Sequence, residues 1–135
     1  LTDGLDLYGE GYSDCVLAAR TPLLDENPGA VKAVIKAMLE AQLETEQNTL
    51  ATLKETVGKY YKTSLEALKL AQSRQPVMID QRNNTKFFYE RSVSMKKMGY
   101  VKNTLPPEAL NWTLLEEVIA ENQNLYKSLE LKSAA

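Results

Sequence analysis

At 135 residues the chain has the size of one domain, and a compact fold of this length buries roughly two thirds of its unfolded surface. Sixteen Lys and Arg against eighteen Asp and Glu leave a net charge of −2. The basic residues are spread rather than gathered into a stripe, so the electrostatic footprint of a nucleic-acid binder is missing. The chain has no histidine, which removes the commonest general base and zinc ligand, and no apolar run approaches the roughly 20 residues that cross a bilayer.

Residues 1–14 carry Gly4, Gly9 and Gly11 among Asp3, Asp6, Tyr8, Glu10 and Tyr12, and read as an extended, turn-rich segment. Cys15 to Ala19 form an apolar run too short for a helix and closed by Arg20, Thr21 and Pro22. A short buried strand is expected over 15–20, although no partner strand is evident. Cys15, the only cysteine, has no internal disulfide partner and is expected to be a small buried hydrophobe.

A helical region is expected over 27–131. Asn27 is placed to cap a helix that has Pro28 at its first position. Val31, Val34, Ile35, Met38, Leu39 and Leu43 then form one apolar face, with Lys32, Lys36, Glu40 and Glu44 on a solvated one. Leu50, Leu53, Val57 and Tyr60 give a second helix, or a kinked continuation of the first. Thr63 and Glu66 have the spacing of a capping box for a third helix, which Pro76 closes. Gln75 to Ile79 read as a short extended piece. Asp80 is expected to cap a helix running through Met98 and ended by Gly99, with Arg91 and Ser94 interrupting its apolar stripe. Pro106 and Pro107 make Val101 to Leu110 a connector. Thr113 and Glu116 suggest a second capping box, opening a last helix through Leu115, Val118, Ile119, Tyr126 and Leu129. The sum is a mainly α chain, with about five amphipathic helices plus one short N-terminal strand in a single unit, 1–135.

No phosphate-binding loop is present, and Gly9-Glu10-Gly11 reads as a turn. Glu40 and Glu44 lie with lysines on a polar face, so no metal set is expected, nor any catalytic residue or cofactor. The tyrosines and phenylalanines from Tyr60 onward, with Trp112, have the spacing of helix-packing residues.

Cys15-Val16-Leu17, followed by Glu26-Asn27-Pro28 and the helix Val31-Lys32-Ala33-Val34-Ile35-Lys36-Ala37, resembles one family of periplasmic proteins. Lys59-Tyr60-Tyr61-Lys62-Thr63, Lys97-Met98-Gly99-Tyr100-Val101 and Asn111-Trp112-Thr113-Leu114-Leu115-Glu116 resemble its later blocks, in the same order. The family is that of ABC-transporter solute-binding proteins for nitrate, sulfonates, taurine and thiamine precursors, and the similarity is to its C-terminal portion. Ser13-Asp14-Cys15 stands where the family commonly has Pro-Cys-Cys.

The resemblance implies a fragment of a type II periplasmic-binding-protein lobe, with residues 1–14 near a hinge and the strand joining a mixed sheet. It implies delivery of a small anionic ligand such as nitrate, taurine or another sulfonate to an ABC importer. The partners would then be that ligand and the transporter permease, in a periplasmic or otherwise extracytoplasmic setting. Some relatives make a thiamine pyrimidine by consuming their own histidine, which this chain lacks, so it is expected not to be an enzyme. Tyr8, Tyr12 and Ser13 offer hydroxyl donors to an oxyanion, Asp14 adjoins the expected strand, and with Glu10 they form the ligand or hinge candidates. The alternative is a self-contained helical interaction or dimerisation module. Either way, uncovered apolar surface is expected to drive a homodimer.

Overall fold

The structure, a computed structural model, describes residues 3–9 and 12–133. Among these, eight α-helices follow in order: α1 (Gly4–Tyr8), α2 (Thr21–Glu26), α3 (Pro28–Gln47), α4 (Thr49–Thr56), α5 (Leu65–Arg74), α6 (Thr85–Lys97), α7 (Thr113–Glu121) and α8 (Gln123–Ser128). Single 3-10 turns at Arg82–Asn84 and Pro107–Ala109 precede α6 and α7.

The start of α3 follows its local chemistry. The Asn27 side-chain oxygen accepts from the Ala30 N–H at 3.2 Å, and Pro28 fills the first helical position, where no donor is needed. Val31, Ile35 and Leu39 then repeat at four-residue spacing and are buried. They meet Leu115 and Val118 of α7 and Leu129 beyond α8, and these six side chains are the apolar core. Leu24 of α2 and Ala19 close its edge. The expected face of α3 is rotated slightly: Gln42 takes the next buried position, Leu43 is only partly covered, and Val34 is 48% exposed. Lys32, expected on the solvated face, instead reaches α7, with its ammonium 3.2 Å from Glu117 and 2.5 Å from Glu121. Hydrogen bonds donated to these two carboxylates hold the Lys32 ammonium above its ordinary value.

The strand expected at 15–20 is absent. No β-strand occurs among the described residues, and Val16 and Leu17 are 56% and 48% exposed. A short apolar run becomes a strand only when another strand takes up its N–H and C=O groups, and no segment among the described residues does so. Cys15 is correspondingly exposed rather than buried. An all-α fold therefore replaces the expected helices plus strand of a type II periplasmic-binding-protein lobe. Residues 4–8, read as extended, are helical, because the Asp3 side chain caps α1 by accepting from the Asp6 N–H at 3.0 Å.

Other boundaries move by a residue or two. Ser64, not Thr63, caps α5, accepting from the Ala67 N–H at 3.1 Å. Asn111 rather than Thr113 supplies the side-chain acceptor at the start of α7, and Asn122 divides the expected last helix into α7 and α8. Gly99 closes α6 as its sequence position implies. Its φ is +80°, the Tyr100 N–H bonds to the Met95 carbonyl and the Gly99 N–H to that of Lys96, the two bonds of a Schellman cap.

Leu39→Ala, which empties a fully buried site, is expected to lower unfolding free energy by about 3 kcal/mol. Val34→Ala, on the same helix but half-exposed, should change it by no more than about 0.5 kcal/mol. Urea denaturation of both variants measures the difference, and equal effects would contradict the observed rotation of α3.

Candidate functional site

The candidates Tyr8, Tyr12, Ser13 and Asp14 lie on a segment docked against α5 and α6; Glu10 lies outside the described residues. Arg74, at the end of α5, anchors α1 by hydrogen bonds to Asp3 (2.5 Å) and Asp6 (3.1 Å). The Arg74 hydrogen bond holds the Asp3 carboxyl below its ordinary value. Asp14 accepts a hydrogen bond from the Gln75 side chain, and the Ser13 hydroxyl donates to the Cys15 carbonyl at 3.1 Å. Ser13 and Asp14 thus serve local structure, and only the two tyrosines converge.

They converge on Phe87 of α6. Its ring meets that of Tyr8 edge-on at 5.7 Å between centroids and that of Tyr12 at 6.5 Å. Gly4 lets the Tyr12 ring approach α1, since a Cβ there would stand 2.1 Å from the ring. Arg91, one turn after Phe87, lays its guanidinium 4.8 Å from the Tyr8 centroid and 5.4 Å from that of Phe87. Two side-chain polar atoms among the described residues are buried without a partner, the Tyr12 hydroxyl and the Arg91 Nε, and both belong to this cluster. Burial pushes the Tyr12 hydroxyl up, and the charges of Asp14 and Asp3 add to the effect. The Arg91 guanidinium, which no carboxylate pairs with among the described residues, suits a negatively charged or carbonyl oxygen.

Arg91 was not among the sequence candidates. Its signal was the interruption of the α6 stripe, where a charge occupies a position periodicity assigns to the covered side. No group of three or more metal-ligating side chains occurs among the described residues.

A second polar cluster fixes the approach to α6. Asp80, expected as a helix cap, is 1% exposed and accepts from the Arg82 backbone at 3.2 Å, from the Arg82 guanidinium at 3.0 and 2.8 Å, and from the Tyr126 hydroxyl at 2.5 Å. Burial works to raise the Asp80 carboxyl, but the hydrogen bonds from Arg82 and Tyr126 outweigh it and hold it below its ordinary value. Its partner Arg82 is correspondingly raised, chiefly by Asp80.

A carboxyl depressed in the folded state stabilises above its unfolded value, near pH 4, and that contribution is lost as pH falls through the folded value. Asp80→Asn should therefore cost roughly 3 kcal/mol at neutral pH, by leaving Arg82 only the exposed Glu116, 3.6 Å away, as a carboxylate partner, and should flatten the acid limb of stability. Urea midpoints from pH 7 to pH 3 read both effects; an unchanged acid limb would show that Asp80 is not the titrating group.

No family model, curated protein or solved structure matches this chain.

Proposed function

We propose that the chain serves as a helical part of a solute-binding protein that hands a small anionic ligand to an ABC importer, with no catalytic step of its own. The ordered sequence blocks from Cys15 to Glu116 suggest the family. One structural observation supports a role against another polypeptide. Every helix from α1 to α6 carries at least one large apolar side chain more than a third exposed, among them Leu7, Leu23, Val34, Leu50, Leu70 and Met95, whereas α7 and α8 carry none. Apolar side chains exposed on successive helices offer a surface that another polypeptide would cover.

In this reading Tyr8, Tyr12 and Arg91 offer donors to the ligand while another part of the binding protein closes from the other side. Binding stabilises the closed arrangement by touching both parts. No helix among the described residues is long and apolar enough to cross a membrane, so the importer supplies the membrane-spanning part in this scheme. The permease would then meet an exposed face of the closed protein.

A second reading has one observation in its favour. The core between α3, α7 and α8 is formed without any strand from outside, as in a self-contained helical module whose exposed side chains meet a second copy.

Thermal unfolding of the product of the complete reading frame, with nitrate, taurine and alkanesulfonates, separates the two. A ligand at a hundredfold over its dissociation constant adds about 2.7 kcal/mol, visible as a raised midpoint. If no ligand moves the midpoint, and sedimentation of the chain alone at micromolar concentration gives a dimer, the module reading replaces the transport one.

A further inference from the structure

Alongside the aromatic cluster runs an open groove of about 780 Å³ between α6 and the 107–112 segment. Its walls are mainly apolar, formed by Tyr89 and Val93 of α6 with Pro107, Leu110 and Trp112 opposite. The Trp112 indole N–H donates to the Thr85 hydroxyl at 3.2 Å, which fixes the ring as one wall. Three other lining residues carry charge: Lys86, Glu90 and Arg91. Lys86 and Glu90 pair one helical turn apart at 3.8 Å and offset each other. Arg91 remains, with its Nε buried and unpartnered.

We propose that this groove binds a small amphiphilic anion: an alkyl or aryl group carrying one sulfonate or carboxylate. The apolar body lies against Trp112, Leu110 and Val93, and the head group takes the terminal N–H donors of the Arg91 guanidinium. Three features select this chemistry. A volume of this size suits a molecule of drug-like dimensions rather than an inorganic ion. The apolar walls would leave most of a sulfate or phosphate without partners. The single uncompensated guanidinium selects against a neutral molecule, because a charge-assisted bond to it exceeds the water contact it replaces. Stacking on Tyr8 and Phe87 holds the guanidinium in place, so little side-chain freedom is lost on binding. The site shares Arg91 and an anionic ligand with the importer reading, and it is tested apart from that reading because every residue that forms it belongs to this chain.

Trp112 is the chain's only tryptophan, so its emission reports on the groove directly. The chain is titrated, below micelle formation, with octanesulfonate, with octyl glucoside as a neutral molecule of the same tail, and with sodium sulfate. Octanesulfonate is expected to give a saturable change, with the other two weaker by about tenfold or more. Arg91→Met keeps an apolar side chain over the rings and removes the charge, and should weaken octanesulfonate by a similar factor while far-ultraviolet circular dichroism stays unchanged. The proposal fails if octyl glucoside or sulfate matches octanesulfonate, if folded Arg91→Met binds octanesulfonate as wild type does, or if Trp112 emission shows no saturable change. Should Arg91→Met not fold, the three-ligand comparison on the wild-type chain decides alone.

Discussion

The arrangement depends on one buried amide. Gln42, about one and a half turns before the end of α3, is 1% exposed and spends its side chain largely on segments far away in sequence. Its carbonyl accepts from the Ile79 N–H at 2.8 Å, and its amide donates to the Leu131 carbonyl and to the Glu46 carboxylate, each at 2.7 Å. Glu46 in turn accepts from the backbone of Glu130 at 2.8 Å and of Leu131 at 3.1 Å. Burial works to raise the Glu46 carboxyl, but these hydrogen bonds outweigh it and hold it low. A core of six apolar side chains supplies attraction without direction, whereas an amide of fixed geometry admits one register. An unpaired buried amide would cost more than its bonds return, so the 79–84 and 129–133 segments are held to α3 together or not at all.

The chemistry-bearing part follows from that suture. Once Ile79 is tied to Gln42, Asp80 is buried where Tyr126 and Arg82 reach it, and the Ser133 hydroxyl both donates to the Asp80 carbonyl and accepts from the Asn83 N–H. The 3-10 turn at Arg82–Asn84 then directs α6 outward, where Phe87 and Arg91 receive the two tyrosines. Asn84, also buried, donates to the Tyr12 carbonyl at 3.5 Å and links the N-terminal segment to this path. The aromatic cluster and the groove beside it are thus placed by polar contacts, while the apolar contacts gather at α3, α7 and α8.

Features set by neighbouring residues were legible in the sequence: the Asn27–Pro28 helix start, the burial of Val31, Ile35 and Leu39 on α3, and the Gly99 stop. Each needs only interactions within a few residues. The strand at Cys15–Ala19 was misread because an apolar run states a preference for burial and not the partner that satisfies it. Gln42 was passed over for a related reason, since a polar residue in an amphipathic helix ordinarily faces water and nothing local reveals a distant N–H and C=O awaiting it. Asp80 was read as a cap because a side-chain oxygen before a helix usually serves the backbone; here Arg82 and Tyr126 take most of its capacity. For the site, Tyr8 and Tyr12 were singled out for their hydroxyls, whereas it is their rings that meet on Phe87, and Arg91 showed only as an irregularity in a stripe.

Amide hydrogen exchange of the free chain tests this organisation most directly. The Ile79, Glu130 and Leu131 amides, bonded to Gln42 and Glu46, are expected to exchange as slowly as the middle of α3 and α7, as one cooperative unit. The amides of α4 and α5, whose helices bury no side chain, are expected to exchange faster by local opening. Fast exchange at Ile79 and Leu131 would contradict the suture. Protection of α4 and α5 equal to that of α3 would mean that they pack fully within the chain, and that their exposed apolar side chains do not await another body.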